Sequence, residues 1–147
     1  QSQNDMEFQT RNLLSETWLL LLEEIRENYQ KNIFKTEQQD RLRNMLSFVH
    51  AHYSEHISVA QIAEATGVSE REVTRSFQRG IHKSPVEYIT AYRLNEAKKL
   101  LINSSLTITE ISYQCGFSDS AYFGKVFRKA FRITPKGYRA KSGNIII

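Results

Sequence analysis

Two stretches of this 147-residue chain decide its fold. The first is Ser58-Val59-x-x-Ile62-Ala63-x-x-x-Gly67-Val68-Ser69. The second is Thr107-Ile108-x-x-Ile111-Ser112-x-x-x-Gly116-Phe117-Ser118. They align at an offset of 49 (58 to 107). Beyond the turn the offset becomes 50, pairing Val73, Arg75 and Phe77 with Phe123, Lys125 and Phe127, so one residue is inserted in the second turn. In each copy a glycine stands where a left-handed residue ends a short helix. The next apolar residue tucks under the corner, and a serine (Ser69, Ser118) caps a second helix. This is the layout of a helix-turn-helix, whose second helix enters the major groove. Two copies are too few for a solenoid and read as a duplicated supersecondary unit.

Working outward, helix starts punctuate the chain. Thr36-Glu37-Gln38-Gln39, Ser58-Val59-Ala60-Gln61, Ser69-Glu70-Arg71-Glu72 and Thr107-Ile108-Thr109-Glu110 read as capping boxes. Ser84-Pro85 and Thr134-Pro135 place proline just inside a helix start. No segment sustains period-two alternation, so the chain is all-α. The spacing predicts helices over about 37–53, 59–65, 70–80, 85–103, 108–114, 119–130 and from 135 to about 140, with boundaries loose by about two to four residues. The fold class is two helix-turn-helix subdomains joined by a long central helix, plus an N-terminal amphipathic helix. The expected organisation is a helical linker or dimerisation segment over 1–35, a DNA-binding domain over 36–141 and a tail over 142–147. The chain opens with Gln1 rather than Met, which suggests a trimmed fragment.

Charge separates the same parts. Residues 1–40 carry 4 basic and 8 acidic groups, net −4; residues 41–147 carry 16 and 8, net +8. A basic block joined to an acidic one points to a polyanionic partner for the second block. One cysteine, Cys115, excludes an intrachain disulfide framework and any multi-cysteine zinc module. The longest apolar run, Trp18 to Leu22, is far short of a membrane span. No phosphate-binding glycine loop, nucleophile–base pair or suitably set carboxylate pair is present, so no enzyme, cofactor or metal is expected.

The repeat's phase sorts the recognition-helix faces. Val73 and Phe77 point inward, leaving Arg71, Thr74, Arg75 and Gln78 outward; Phe123 and Phe127 point inward, leaving Ser120, Ala121, Gly124 and Lys125 outward. Arg71 and Arg75 suit guanine O6/N7, and Ala121 suits a thymine methyl. Helix starts at Ser58, Ser69, Thr107 and Ser118 are natural anion sites. Arg79, Lys83, Lys129, Lys136 and Arg139 are side-chain candidates for phosphate. The central helix, roughly 28 Å of rod, compares with about 34 Å for a turn of B-DNA. It can therefore hold two recognition helices in successive major grooves.

These residues resemble a family. The run Ile108-x-x-Ile111-x-x-x-x-Gly116-Phe117-x-Asp119-x-x-Tyr122-Phe123-x-x-x-Phe127-Arg128-Lys129, then Thr134-Pro135-x-x-Tyr138-Arg139, is similar to the DNA-binding domain of AraC/XylS-type bacterial transcription regulators. So is Ser84-Pro85-x-x-Tyr88-Ile89-x-x-x-Arg93-x-x-x-Ala97-x-x-Leu100-Leu101. The resemblance covers about 100 residues, from about 40 to 140. Val73 departs from the usual Leu, and Phe131-Arg132 from a frequent Gly. The resemblance implies a cytoplasmic, nucleoid-associated transcription activator that binds double-stranded promoter DNA and meets RNA polymerase. It implies the same base-facing positions, and an effector, if any, held by another domain.

Other features are weighed against this reading. Arg93 lies in phase with Ile89, Ala97 and Leu100, so it is expected partly buried with Glu64 or Glu110 as partner. His50, His52 and His56 cluster without a further ligand type, which argues against metal. Cys115 reads as a small packed residue. Asn103-Ser104-Ser105 is a sequon without other signs of secretion. Leu14, Trp18, Leu21 and Ile25 follow 4-3-4 spacing, a coiled-coil-like seam that suggests a homodimer through this segment, or packing in cis on the next helix. The competing function is a helical protein-interaction module whose basic face meets an acidic protein.

Overall fold

The computed structural model describes residues 2–143, with side chains from residue 20 onward. The described elements are all helices: α1 (Ser2–His52), α2 (Val59–Thr66), α3 (Glu70–Ile81), α4 (Pro85–Asn103), α5 (Ile108–Gln114), α6 (Ser120–Phe131) and α7 (Pro135–Gly143). The chain divides into two compact units, Gln1–Asp40 and Arg41–Ile147.

In the first unit the helix does not restart at Thr36 as its capping box predicts. Thr36 is interior to α1 and its hydroxyl donates to the Asn32 carbonyl at 3.0 Å. Glu37, Gln38 and Gln39 are good helix formers and no glycine or proline intervenes, so continued main-chain bonding wins over the cap. The expected separate helices before and after residue 36 are therefore one. Leu21 (45% exposed) and Ile25 (55%) present their side chains to solvent, as do Leu20, Leu22 and Phe34. Leu14 and Trp18 lie outside the residues whose side chains are described.

The second unit holds two hydrophobic cores. Met45 and Val49 of α1, Ile62 and Ala63 of α2, Val73 and Phe77 of α3, and Ile89 of α4 form one. Leu94, Ala97 and Leu101 of α4, Ile111 and Cys115, and Phe117, Phe123 and Phe127 form the other. Helix α4 passes from the first core to the second between Ile89 and Leu94. Each fully buried aromatic ring here is worth about 3–5 kcal/mol against truncation to alanine.

The turns follow from the glycines. Gly67 ends α2 at φ 68°, and its N–H bonds Ala63 and Glu64 carbonyls. Gly116 has φ 89°, a left-handed conformation that favours glycine. Gly116 is also hemmed in: a Cβ there would fall against the Tyr53 carbonyl oxygen and lie 2.8 Å from Arg93 Nε. Reciprocal capping boxes start α2, α4 and α5 from Ser58, Ser84 and Thr107. Helix α6 differs from the expectation. Asp119 rather than Ser118 is its cap, accepting from the Ala121 N–H at 2.8 Å. The residue inserted in the second turn displaces the cap by one position.

Candidate nucleic-acid interface

In α3, Val73 and Phe77 are 0% exposed, while Arg71, Thr74, Arg75 and Gln78 stand on the solvent side. Arg79 is exposed as well. Ser69 starts the helix by accepting from the Glu72 N–H at 3.2 Å. Ser76 is buried, a position the pattern of apolar residues did not mark, and its hydroxyl donates to Glu72 Oε1 at 3.3 Å. That bond turns the Glu72 carboxylate toward Ser76.

In α6, Phe123 and Phe127 are likewise 0% exposed. Ala121 and Lys125 are exposed, and Ser120 and Gly124 half-buried. The helix contains no acidic residue and ends with Arg128 and Lys129 in its last turn. A Cβ added at Gly124 would meet nothing within 4 Å. Protein packing therefore does not require glycine there, and the outward face of α6 offers bare backbone.

The candidate phosphate residues are not all alike. Lys83 and Lys129 line one groove of roughly 640 Å³ between the end of α3, the first half of α4 and the flank of α6, together with His82, Glu87 and Tyr122. Lys136 is exposed near the start of α7. Ser118 is exposed but is not a cap. Arg139 is half-buried and differs from the others in having internal partners. Its Nε donates to the Leu101 carbonyl at 3.1 Å and its second guanidinium nitrogen to the Leu106 carbonyl at 2.7 Å. These are carbonyls at and just past the end of α4, which the helix itself leaves unsatisfied. Two of the guanidinium's five donors are thereby engaged inside the protein.

Arg93 is partly buried as expected, with different partners. Neither Glu64 nor Glu110 receives it. Its Nε donates to the Tyr53 carbonyl and its terminal nitrogen to the Glu55 carbonyl, both at 2.7 Å. Burial pulls its pKa below the ordinary arginine value, with the nearby Cys115 acting the other way. Glu110 is instead the capping-box acceptor of the Thr107 N–H at 2.7 Å. Main-chain carbonyls as arginine partners carry no residue-type signal, which is why the sequence offers only acids.

The remaining polar clusters serve packing. His50 Nε2 shares a 2.6 Å hydrogen bond with the Tyr88 hydroxyl, and its ring stacks on Tyr92 at 4.3 Å. His52 Nδ1 meets Glu55 at 3.4 Å. Ser112, fully buried, donates to the Thr109 carbonyl at 2.7 Å. Burial pushes the Cys115 thiol up to about 11.

A helix-turn-helix domain family model matches residues 62–141, more than half of the chain. The chain belongs to the AraC/XylS family of transcription regulators. The DNA-binding domain of this family is its two helix-turn-helix units. An HTH-type transcriptional regulator of Bacillus subtilis, YdeC, is 37% identical over 99 residues, covering 67% of this chain and 34% of that protein. The transcriptional activator RhaS of Escherichia coli is 31% identical over 130 residues, covering 88% of this chain and 45% of that protein. The chain thus spans less than half the length of these relatives. A solved AraC-type regulator structure from Chromobacterium violaceum superimposes with a TM-score of 0.69 at 34% identity, covering 73% of this chain and 96% of that one. The family model's match lies within the second unit, where the recognition helices are, and the 130-residue match to RhaS extends beyond it.

Proposed function

We propose that this chain is the DNA-reading part of a transcription activator that sets α3 and α6 into successive major grooves on one face of a promoter duplex. The observation that carries this is the shared phase of the two helices. In each, two rings or branched chains are fully buried, and the opposite face carries Arg71, Thr74, Arg75 and Gln78, or Ser120, Ala121, Gly124 and Lys125. Helix α3, with two outward arginines, carries most direct base readout. Helix α6, with small groups, one lysine and a bare glycine, lets the backbone approach and reads shape. Ser69, Ser118, Arg79, Lys83, Lys129 and Lys136 serve phosphates; Arg139 does not.

Two activators among the relatives, RhaS and the lactose operon transcription activator of Staphylococcus xylosus, support the regulatory sign. Contact with RNA polymerase, residence on the nucleoid in the cytoplasm, and an effector held by another domain complete the reading. The exposed Leu21 and Ile25 support homodimer formation through the seam they share with Leu14 and Trp18. The chain performs no catalysis.

Selection of bound sequences from a random duplex pool tests the proposal. The expected product is a non-palindromic site with two conserved blocks about one helical turn apart, bound with far less salt sensitivity in its specificity ratio than in its affinity. A single conserved block, or equal affinity for random duplex at every salt concentration, refutes it and favours the acidic-protein partner.

A further inference from the structure

Helix α4 alone does not fix how the two helix-turn-helix units are rotated about it. Its N-terminal half belongs to one core through Ile89, and its C-terminal half to the other through Leu94, Ala97 and Leu101. A second tie is found at the handover point. Arg93, one residue before Leu94, forks its guanidinium onto the carbonyls of Tyr53 and Glu55, which follow the C-terminus of α1. The first-core residues Met45 and Val49 sit on that same helix. The turn of the second repeat closes over the fork: the Phe117 ring lies 6.0 Å from the guanidinium, and Gly116 has no room for a Cβ between the Tyr53 carbonyl and Arg93. One side chain thus joins the segment after α1, the middle of α4, and the α5–α6 turn that aims the second recognition helix, all within residues 41–147.

We propose that Arg93 is a positioning residue that sets the angle between α3 and α6, and so the spacing between half-sites that the protein accepts. The inference rests on the two-groove reading given above. Arg93 touches no DNA; it acts through the Tyr53–Glu55 segment and the Gly116–Phe117 turn. Two hydrogen bonds from a planar fork constrain rotation, whereas a single-point cation such as lysine leaves it free.

The test compares the full 147-residue chain with Arg93→Gln, Arg93→Lys and Gly116→Ala. The probes are the selected duplex, the same duplex with either half scrambled, and versions with one base pair added or removed between halves. The parent is expected to lose affinity sharply when the spacer changes. In folded Arg93→Gln, affinity for the intact site should fall about tenfold, because the second contact no longer benefits from a pre-set geometry. Binding to each half-scrambled site should stay within about twofold, and the spacer penalty should collapse. Arg93→Lys should lie between, and it carries the test if Arg93→Gln does not fold. Gly116→Ala, which wedges the turn off the same carbonyl, should move the spacer preference in the same sense. An unchanged spacer penalty in a folded Arg93 variant overturns the proposal, as does parallel loss on all probes. A parent indifferent to spacing overturns the two-groove reading itself, and this inference with it.

Discussion

Arg139 separates what the chain's pattern suggests from what its packing does, and its removal should be felt in stability rather than in DNA binding. In Arg139→Ala, the Leu101 and Leu106 carbonyls lose their donors at the end of α4. Hydrogen bonds to a charged donor contribute about 1.5–3 kcal/mol each, and a partly exposed site recovers some of that through water. A loss of about 2–4 kcal/mol follows. For a domain of about 100 residues, each kcal/mol moves the melting temperature by roughly 4–8 °C, so Tm should fall by roughly 8–32 °C. Arg139→Lys, able to reach one carbonyl at a time, should recover part of this. Calorimetry gives the stability, and a salt titration of duplex binding at a temperature where both proteins are folded gives the charge count. The slope of log affinity against log salt should stay at the parent value. A slope reduced by about one unit with an unchanged Tm would mean a phosphate contact, and the internal clasp would be refuted.

Three further outcomes follow from the interface and its supports. Arg75→Ala should lose about 1–3 kcal/mol of affinity for the selected site and relax preference at one base pair, whereas Lys136→Ala should weaken all sequences alike; competition binding on single-base variants distinguishes them. Gly124→Ala should raise thermal stability by about 1 kcal/mol, since α6 has room for the methyl, yet weaken specific binding if backbone meets DNA there; stronger specific binding would exclude that approach. The Glu87 and Glu110 carboxyls are held below the ordinary carboxylate value by main-chain N–H donors of Ser84 and Thr107, so their stabilisation is present above the unfolded pKa and lost as pH falls through the folded one. Glu110→Gln should therefore flatten the acid limb of a Tm-versus-pH curve, and an unaltered limb contradicts the capping role.

How much of this was legible in the sequence depends on whether a feature is local. Glycines, caps and i, i+4 rings are local, so α2 through α7 and the inward set Val73, Phe77, Phe123 and Phe127 follow from pattern alone. The Thr36 box failed because an equally local competitor, continuation of an uninterrupted helix, was stronger. The Ser118 cap gives way to Asp119 because the extra residue of the second turn precedes the cap, so that Ser69 corresponds to position 119 at the offset of 50. The acidic partner expected for Arg93 failed, and the internal contacts of Arg139 escaped notice, for a different reason: their acceptors are main-chain carbonyls 33 to 40 residues away, and every residue type supplies one. Charge invites an acidic partner or a phosphate, and only the fold reveals a helix end in need of donors.

Those two arginines also enlarge the repeat. In sequence the duplication continues at the same offset of 50 through Phe77/Phe127, Ile81/Phe131, Pro85/Pro135 and Tyr88/Tyr138. Its geometry continues with it. His82 and Arg132 take left-handed φ of 59° and 60° after their recognition helices, and the Phe77–Tyr88 and Phe127–Tyr138 rings meet edge-on at 5.6 and 5.8 Å. The arginines break sequence register, since 93 plus 50 is Gly143, yet they do matching work. Arg93, on the helix after the first helix-turn-helix, holds carbonyls just past the end of the helix before it, and Arg139 does the same at the end of α4 for the second helix-turn-helix. The structural module is therefore helix, helix-turn-helix, helix, with α4 closing one copy and opening the next. Sharing α4 removes any flexible linker between the units. A change in the angle between recognition helices must then come from repacking at Arg93 and Gly116 rather than from hinge motion in a loop.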